Sequence, residues 1–444
     1  MLQPGTRPPT TRRRRLRSMV ISMVTAISVI GAGITVASVW ANSFDDAPAG
    51  QRTVDPQPAP TPGDEDESLD FVQHSALVPV PMPTPAPPLE LTASAVPIGP
   101  GGSQEGAGQV SGSGGASVAA DPRAGGDFIL ISPSRLRALP TSGAAWDALK
   151  RAADSNAGSP NLADNDQENN VLILAKALVY ARTGTASYRA EVISALRAAM
   201  GTEAGGDTLA LGRELAAYVI AADLIGLRAA DPALDATFRA WLAQLLDRRL
   251  ADGNSLTETH ERRPNNWGTH AGASRAAAAA YLGDGAELAR VATVFRGWVG
   301  ERSAYAGFSF GDLWWQSSPS QPVGINPPGA KLEGHSVDGV LPDDQRRTGD
   351  FTWPPPCGNY PHGALDGALL AAEILHRHGH AAYSWASNAL LRAQTWLHST
   401  GCAPSGDNVW HLPLLDARYG TSFWNGAVVR PGKNFGWTDW LYGS

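Results

Sequence analysis

The stretch from Arg262 to His270, which reads Arg-Arg-Pro-Asn-Asn-Trp-Gly-Thr-His, is dense in side chains that bind anions or move protons. An alanine-rich segment typical of a packed helix follows it directly. One Asn or Thr is enough to cap a helix, so two Asn, a Thr and a His exceed that need. Exposed amides at a helix N-terminus also favour an anion such as a carboxylate. The pattern therefore predicts a binding or catalytic site for an anionic group.

A second group of side chains suited to proton transfer lies where another predicted helix begins, at Asn359-Tyr360-Pro361-His362. The paired Arg346 and Arg347, and then Trp353, precede it. A tyrosine at the mouth of a helix is placed to meet a ligand, although its hydroxyl could also bond across a loop. A nearby guanidinium would stabilise the phenolate that a tyrosine base must form. The segment therefore predicts a proton acceptor, Tyr360, with an arginine partner.

Two further stretches carry polar side chains that could serve either structure or binding. Arg213 and Glu214 lie on one predicted helix with Tyr218, and the sequence favours a structural ion pair over substrate contact. The C-terminal stretch from Gly432 to Trp440 is rich in glycine and aromatic residues, and it could line a cleft or close the fold.

Neither the cysteines nor the histidines are spaced like zinc ligands. Cys357 and Cys402 are the two cysteines of the chain, and outside the cytoplasm such an isolated pair commonly forms a disulfide. His376, His378 and His380 alternate around a predicted helix end, which points them apart. We therefore predict a disulfide and no metal or other cofactor.

The charge distribution excludes one class of partner. The formal net charge is −7, and a run of arginines, Arg12–Arg15 with Arg17, precedes residue 18. The remainder is therefore more acidic than the total suggests and lacks the basic footprint of a nucleic-acid-binding protein. The 14 tryptophans suit either a cleft that binds sugars or the hydrophobic core.

The N-terminal part predicts export or anchoring. Residues 1–18 form a basic region, and the uncharged apolar run of residues 19–41, long enough to cross a bilayer, reads as a cleaved signal peptide or a signal-anchor helix. The basic region should stay cytoplasmic, so that the rest lies outside the cytoplasmic membrane as an anchored or secreted protein. Residues 42–127 are rich in Pro, Gly and Ser and read as a disordered linker.

Residues 128–444 read as one domain built from about nine helices, because apolar residues recur at helical spacing and strand-like alternation is scarce. Alanine-rich helices that are apolar nearly all round alternate with amphipathic ones. That alternation suits two concentric rings of helices, so the predicted fold is an all-α (α/α) toroid. The long segment from Tyr305 to Pro361 breaks the helical rhythm and is expected to form the wall of a cleft.

Two of these motifs resemble the alginate lyase superfamily of (α/α) toroid polysaccharide lyases. They are Asn265-Asn266-Trp267-Gly268 before the alanine-rich helix, and Asn359-Tyr360 with Gly363-Ala364-Leu365. The resemblance spans roughly residues 130–440. It implies an acidic polysaccharide as substrate, with a uronate at the linkage that β-elimination cleaves.

The resemblance also implies roles for single residues. Asn266 would neutralise the substrate carboxylate, Tyr360 would handle the proton, and Arg347 or Arg346 would be the charge partner. Mannuronate-specific members carry His directly after the Asn pair, where this chain has Trp267, so His270 one helical turn on is expected to substitute. The other side chains expected to contact substrate are Asn265, Trp267, Arg263, Arg346, Trp353, His362 and Arg213.

Two other functions are compatible with the same sequence. A glycoside hydrolase on this architecture needs two carboxylates at a defined separation, and Asp312, Asp338, Asp343 and Asp344 are available without any pair standing out. A cell-wall or glycan-binding protein without catalysis is the third possibility. The predicted anchor and linker suit all three functions.

Overall fold

A computed structural model of the chain describes residues 128–443. This part is almost wholly helical, with fifteen α-helices and one two-stranded hairpin, so the predicted all-α class is confirmed. The predicted basic region, membrane segment and linker lie outside the described residues. Within residues 128–443, no helix combines the length and the apolar character needed to cross a bilayer.

The helices follow one another closely in the first half of the domain. They are α1 (Pro133–Ala138), α2 (Ala144–Asp154), α3 (Asn169–Thr183), α4 (Ala186–Ala199), α5 (Thr208–Leu224), α6 (Leu227–Ala230), α7 (Pro232–Leu245) and α8 (Leu256–Arg262). The second half contains α9 (Asn266–Leu282), α10 (Gly285–Trp298), α11 (Pro342–Gln345), α12 (Tyr360–Arg377), α13 (Trp385–Ser399), α14 (His411–Tyr419) and α15 (Thr438–Tyr442). Between α10 and α11, strands β1 (Lys331–Leu332) and β2 (His335–Ser336) pair antiparallel.

All nine helices predicted from apolar spacing are present, as α2 to α5, α7, α9, α10, α12 and α13. Local residues mark the ends of these helices. Asp231 accepts a hydrogen bond from the Leu234 amide at the start of α7, next to Pro232. Gly184 and Gly283 end α3 and α9 in the left-handed conformation, at φ 74° and 68°. The other six helices have four to nine residues, too few to show an apolar period.

Helix α9 lies at the centre of the domain, packed against α5, α8, α10 and α12. Its side chains are buried on nearly every side, as its alanine content predicts. Glycines allow the close approach: a Cβ on Gly212 of α5 would lie 2.9 Å from the Ala271 amide, and one on Gly367 of α12 would collide with His270. Ser274 reinforces the first contact by donating a 2.7 Å hydrogen bond to the Gly212 carbonyl.

The contacts between helices form a closed order. Helix α2 packs on α3, α3 on α5, α5 on α9, and α9 on α12. Helix α12 packs on α14, α14 on α15, and α15 returns to α2. The N-terminal ends of α9 and α12 lie side by side. The two predicted site motifs stand at these ends.

Candidate active site

A cavity of about 250 Å³ opens at the N-terminal ends of α9 and α12. It is lined by Asp166, Arg213, Asn266, His270, Asn359, Tyr360, Gly363, Asp366, Asp407, Asn408 and Lys433. Four residues predicted from the sequence, Arg213, Asn266, His270 and Tyr360, therefore share one pocket. A larger cavity of about 460 Å³ lies at the C-terminal end of α9 and contains none of them.

The structure gives the two asparagines of the first motif different tasks. Asn265 is the N-cap of α9, and its side chain accepts a 3.2 Å hydrogen bond from the Trp267 amide. Asn266 lines the pocket, where its Oδ1 also accepts from Trp267, at 3.0 Å. Its backbone amide donates to Asp344 at 3.0 Å. The Nδ2 group of Asn266, which lies beside Gly363 without a partner among residues 128–443, remains to donate to a ligand.

His270 lies one helical turn after Asn266, on the same side of α9, and reaches the same pocket. Its side chain is 1% exposed, and its Nδ1 has no hydrogen-bond partner among the described residues. Burial, with the charge of Arg213 as a second cause, lowers the pKa of His270 well below its ordinary value. The imidazole is therefore neutral near pH 7 and offers one donor and one acceptor rather than a positive charge.

Arg213 and Glu214 do not form the ion pair that the sequence favours. Arg213 lines the pocket, and the one hydrogen bond of its side chain within residues 128–443 runs 3.3 Å from Nη1 to Asn165. Its Nε has no partner there, and no carboxylate among these residues lies within 4 Å of its guanidinium. Glu214 is fully buried with neither oxygen hydrogen-bonded, and burial raises its pKa to about 9. Because Glu214 is uncharged near pH 7, Arg213 is left as a half-buried cation facing the pocket.

Tyr360 is the first residue of α12 and is 43% exposed at the pocket. The guanidinium of Arg347 lies over the face of its ring, 5.0 Å from the centroid. This places the positive charge of Arg347 beside the phenol. Arg347 does not itself line the pocket, so Arg213 is the guanidinium that a bound anion would meet.

The other predicted contact residues lie outside the pocket lining, each held by a different partner. Arg263 stacks over Trp267 at 4.2 Å. Arg346 is bound to Asp343 at 3.1 Å and lies 3.6 Å from Asp312. Trp353 is 41% exposed and stacks on His335, with ring centroids 4.6 Å apart. Substrate contact by Arg263, Trp267, Arg346 and Trp353 therefore stays a prediction, and the lining of the pocket does not support it.

A disulfide and a hydrogen bond, both to Cys402, hold the segment around Tyr360. A disulfide joins Cys357 to Cys402, with the Cα atoms 5.2 Å apart. His362 is 3% exposed and donates from Nε2 to the Cys402 carbonyl at 3.0 Å. His362 thus anchors the first turn of α12 to Cys402, and it is not among the residues that line the pocket.

Sequence reasoning missed the acidic side chains of the pocket. Asp366 is buried on α12, and its Oδ1 lies 2.7 Å from Nδ1 of buried His411, whose Nε2 lies 2.9 Å from Gln394. Burial raises the pKa of Asp366 well above its ordinary value, and the charge of Asp407 adds to this. Burial lowers the pKa of His411, so it favours the uncharged form of both partners. Asp366, His411 and Gln394 are distant in sequence and come together only in the fold, so no sequence motif identifies them.

Lys433 comes from the C-terminal stretch that the sequence marked as a possible cleft wall. Its Nζ lies 3.4 Å from Asp166, whose side chain is largely exposed. Its carbonyl accepts a 2.6 Å hydrogen bond from Asn170 of α3, which fixes the backbone. The pocket therefore contains two cations, Arg213 and Lys433.

The carboxylates first considered for hydrolysis have structural partners instead. Asp338 pairs with Arg392 at 2.6 Å, Asp343 with Arg346 at 3.1 Å, and Asp312 lies 3.6 Å from Arg346. Asp344 accepts from the Asn266 amide. Within residues 128–443, no group of three or more His, Cys, Asp or Glu side chains is arranged to hold a metal ion.

Residues 135–302 match the family model described as alginate lyase. The match runs from within α1 through α10, and it includes Arg213, Asn266 and His270. It ends before Tyr360, so the resemblance inferred from the sequence is confirmed for the first motif and stays a prediction for the second. No curated protein matches the chain at a significant level.

Proposed function

We propose that this protein, whose residues 135–302 resemble alginate lyase, is a polysaccharide lyase that cleaves an acidic, uronate-containing polysaccharide by β-elimination. The observation that carries the proposal is the shared pocket. Among the described residues, it combines a half-buried guanidinium without an ion-pair partner, an amide donor, a neutral imidazole and an accessible phenol, from Arg213, Asn266, His270 and Tyr360.

The first requirement of β-elimination is that the substrate carboxylate be neutralised, because the proton at C5 of a uronate is otherwise too weakly acidic. Arg213 has no ion-pair partner among residues 128–443, and a half-buried cation without one favours an anionic ligand. Nδ2 of Asn266 and an N–H of His270 can donate to the same group. Donors fixed in place before the reaction stabilise the charge that develops in the enolate-like transition state.

The second requirement is a group that removes the C5 proton and one that returns a proton to the leaving glycosidic oxygen. Tyr360 is an accessible acid–base group of the pocket, and the guanidinium of Arg347 lies over its ring. After taking the C5 proton, the phenol can donate it to the leaving oxygen.

Two further proposals concern architecture and location. The closed contact order from α2 through α15 supports an (α/α) toroid, with α3, α5, α9 and α12 among its inner helices. The Cys357–Cys402 disulfide supports an oxidising compartment outside the cytoplasm, together with the apolar run of residues 19–41. Mass spectrometry of the mature N-terminus would show whether that run is cleaved.

Incubation of the purified chain with polyuronates and other uronate-containing polymers tests the activity. A lyase creates a double bond between C4 and C5 of the new end, which is followed by its ultraviolet absorbance. Tyr360→Phe should abolish this signal while polymer binding persists, because only the proton-transferring hydroxyl is removed. Tyr180→Phe, a half-buried tyrosine on α3 away from the pocket, is the matched control. Full activity of Tyr360→Phe would refute the proposed role.

A glycoside hydrolase is the second candidate, and one observation favours it. Asp366 and Asp407 line the same pocket, and burial together with the charge of Asp407 raises the pKa of Asp366. A carboxyl group whose protonated form is favoured, beside a second carboxyl group, suits a general acid paired with a general base. New reducing ends without a double bond would select this function, and binding without either product would indicate a glycan-binding protein.

A further inference from the structure

The pocket has an acidic set of side chains that the carboxylate-neutralising chemistry does not use. Asp407 and Asn408 come from the short 3-10 helix Gly406–Trp410, and Asp366 comes from α12. A group of acids is not by itself a binding site. The same pocket also holds His270, which is 99% buried and has an unpartnered Nδ1, so the cavity as a whole is built to receive a ligand.

Asp407 is the member of this set whose carboxylate has no direct partner among the described residues. It is half-buried, and within residues 128–443 its carboxylate makes no hydrogen bond and no ion pair. Lys433 is paired with Asp166, and Arg213 acts on Asp407 only through longer-range charge, since no carboxylate among these residues lies within 4 Å of it. A ligand group next to Asp407 therefore meets a half-desolvated carboxylate.

That charge discriminates between the sugars of different polysaccharides. An ionised carboxylate only accepts hydrogen bonds, so it attracts hydroxyl, amide N–H or ammonium groups. It repels a second carboxylate, and the repulsion is larger at a half-buried site than in water. In a polymer made only of uronates, every sugar beside the cleaved linkage brings such a carboxylate into the pocket.

We propose that Asp407 is a specificity-determining residue and that the substrate alternates uronate with an uncharged or amino sugar. The uronate carboxylate binds Asn266, His270 and Arg213, while hydroxyl or amide N–H groups of the neighbouring sugar bind Asp407. This inference rests on the proposed lyase function and narrows its substrate class. Asn408 beside Asp407 adds a neutral amide that can bind the same sugar.

The test compares two kinds of polymer with the full chain and the Asp407→Asn variant. The probes are polymannuronate and polyguluronate, which contain only uronates, and hyaluronan and heparosan, which alternate uronate with N-acetylhexosamine. We expect the unmodified protein to cleave an alternating polymer with kcat/KM at least about tenfold higher, and Asp407→Asn to lower that ratio about tenfold by removing the repulsive charge. Asp247→Asn, an exposed carboxylate after α7, is the control and should leave the ratio unchanged.

The possible results separate the proposed substrate preference from the proposed lyase function. A preference for polyuronates, or an unchanged ratio in a folded Asp407→Asn variant, would overturn the inference while leaving the lyase function intact. Failure to form a double bond in any of the four polymers would overturn the lyase function, and the inference with it. Thermal unfolding and circular dichroism establish that the variant is folded, which is expected because the Asp407 carboxylate has no partner in the described residues.

Discussion

The charge state of single buried residues determines what the pocket can bind. Arg213 and Glu214 are neighbours in sequence, yet burial keeps Glu214 protonated and leaves the guanidinium of Arg213 without an ion-pair partner among the described residues. Had both been ionised and paired, Arg213 would be a structural residue with little affinity for a ligand. The combination of a neutral acid and an unpaired cation is costly for folding, and it makes Arg213 available to a substrate carboxylate.

Replacement of Arg213 separates its binding role from a structural one. We expect Arg213→Met to lower kcat/KM by roughly 100-fold, the scale of losing one preorganised donor in an active site. The free energy of unfolding should stay level or rise, because a half-buried charge without an ion-pair partner is removed. Steady-state kinetics and denaturant unfolding measure the two quantities, with Arg249→Met, whose side chain is 66% exposed, as the control. A large loss of stability would instead indicate a structural role.

Glu214 predicts a distinct dependence of stability on pH. Burial raises its pKa from 4.5 to about 9, so the folded state holds a proton that the unfolded state releases at lower pH. Its favourable contribution is complete below pH 4.5 and is lost as pH rises to about 9. Glu214→Gln cannot ionise, so its unfolding free energy should fall less than that of the unmodified protein across this window. Parallel curves for the two proteins would contradict the assigned protonation state.

At the scale of elements, the position of Tyr360 depends on bonds that lie on both sides of it. The disulfide at Cys357 fixes the chain before α12, and the hydrogen bond from His362 to the Cys402 carbonyl fixes its first turn. Both bonds end at Cys402, just after α13. The orientation of the phenol is therefore coupled to a covalent link that can be broken without changing any pocket residue.

We accordingly expect the double variant Cys357→Ser, Cys402→Ser to lose activity as well as stability. The bond spans 45 residues, and opening a loop of this size costs roughly 3–4 kcal/mol in the chain-entropy model. At a temperature where the variant stays folded, kcat should fall about tenfold while KM changes little, because Tyr360 rather than the anion-binding side is displaced. Reduction of the unmodified protein should reproduce the effect. An unchanged kcat would show that α12 positions Tyr360 without the disulfide.

Features of single helices could be predicted from the sequence, whereas contacts between distant helices could not. Helices such as α3 and α9 repeat their apolar pattern over several turns and end at glycine, so local signals are sufficient. Short α8 has a complete capping box at Ser255 and Glu258, a signal that could have located it. The pairing of Asp366 with His411 joins distant helices and leaves no local trace. The sequence identified Arg213 as a candidate. It could not show that Glu214 is protonated, because that protonation is caused by burial in the fold.

At the scale of the whole molecule, the closed order of helix contacts predicts that the domain unfolds as one unit. Helix α15 completes that order by packing on both α14 and α2. Trp440 of α15 is 2% exposed, lies 5.5 Å from the ring of Trp146 on α2, and donates a 2.9 Å hydrogen bond to the Pro140 carbonyl. Because this contact joins the C-terminal end of the domain to its beginning, its loss should weaken every helix between them.

Trp440→Ala should therefore lower the free energy of unfolding by about 3–5 kcal/mol, the usual cost of truncating a buried tryptophan. The transition should remain single and should shift together in near-ultraviolet circular dichroism and in activity, because the pocket helices depend on the same closure. Trp314→Ala, at a side chain that is 47% exposed, should change stability little. Two separate transitions in Trp440→Ala, with the pocket surviving the first, would show that the helices between α3 and α12 are stable without the closing contact.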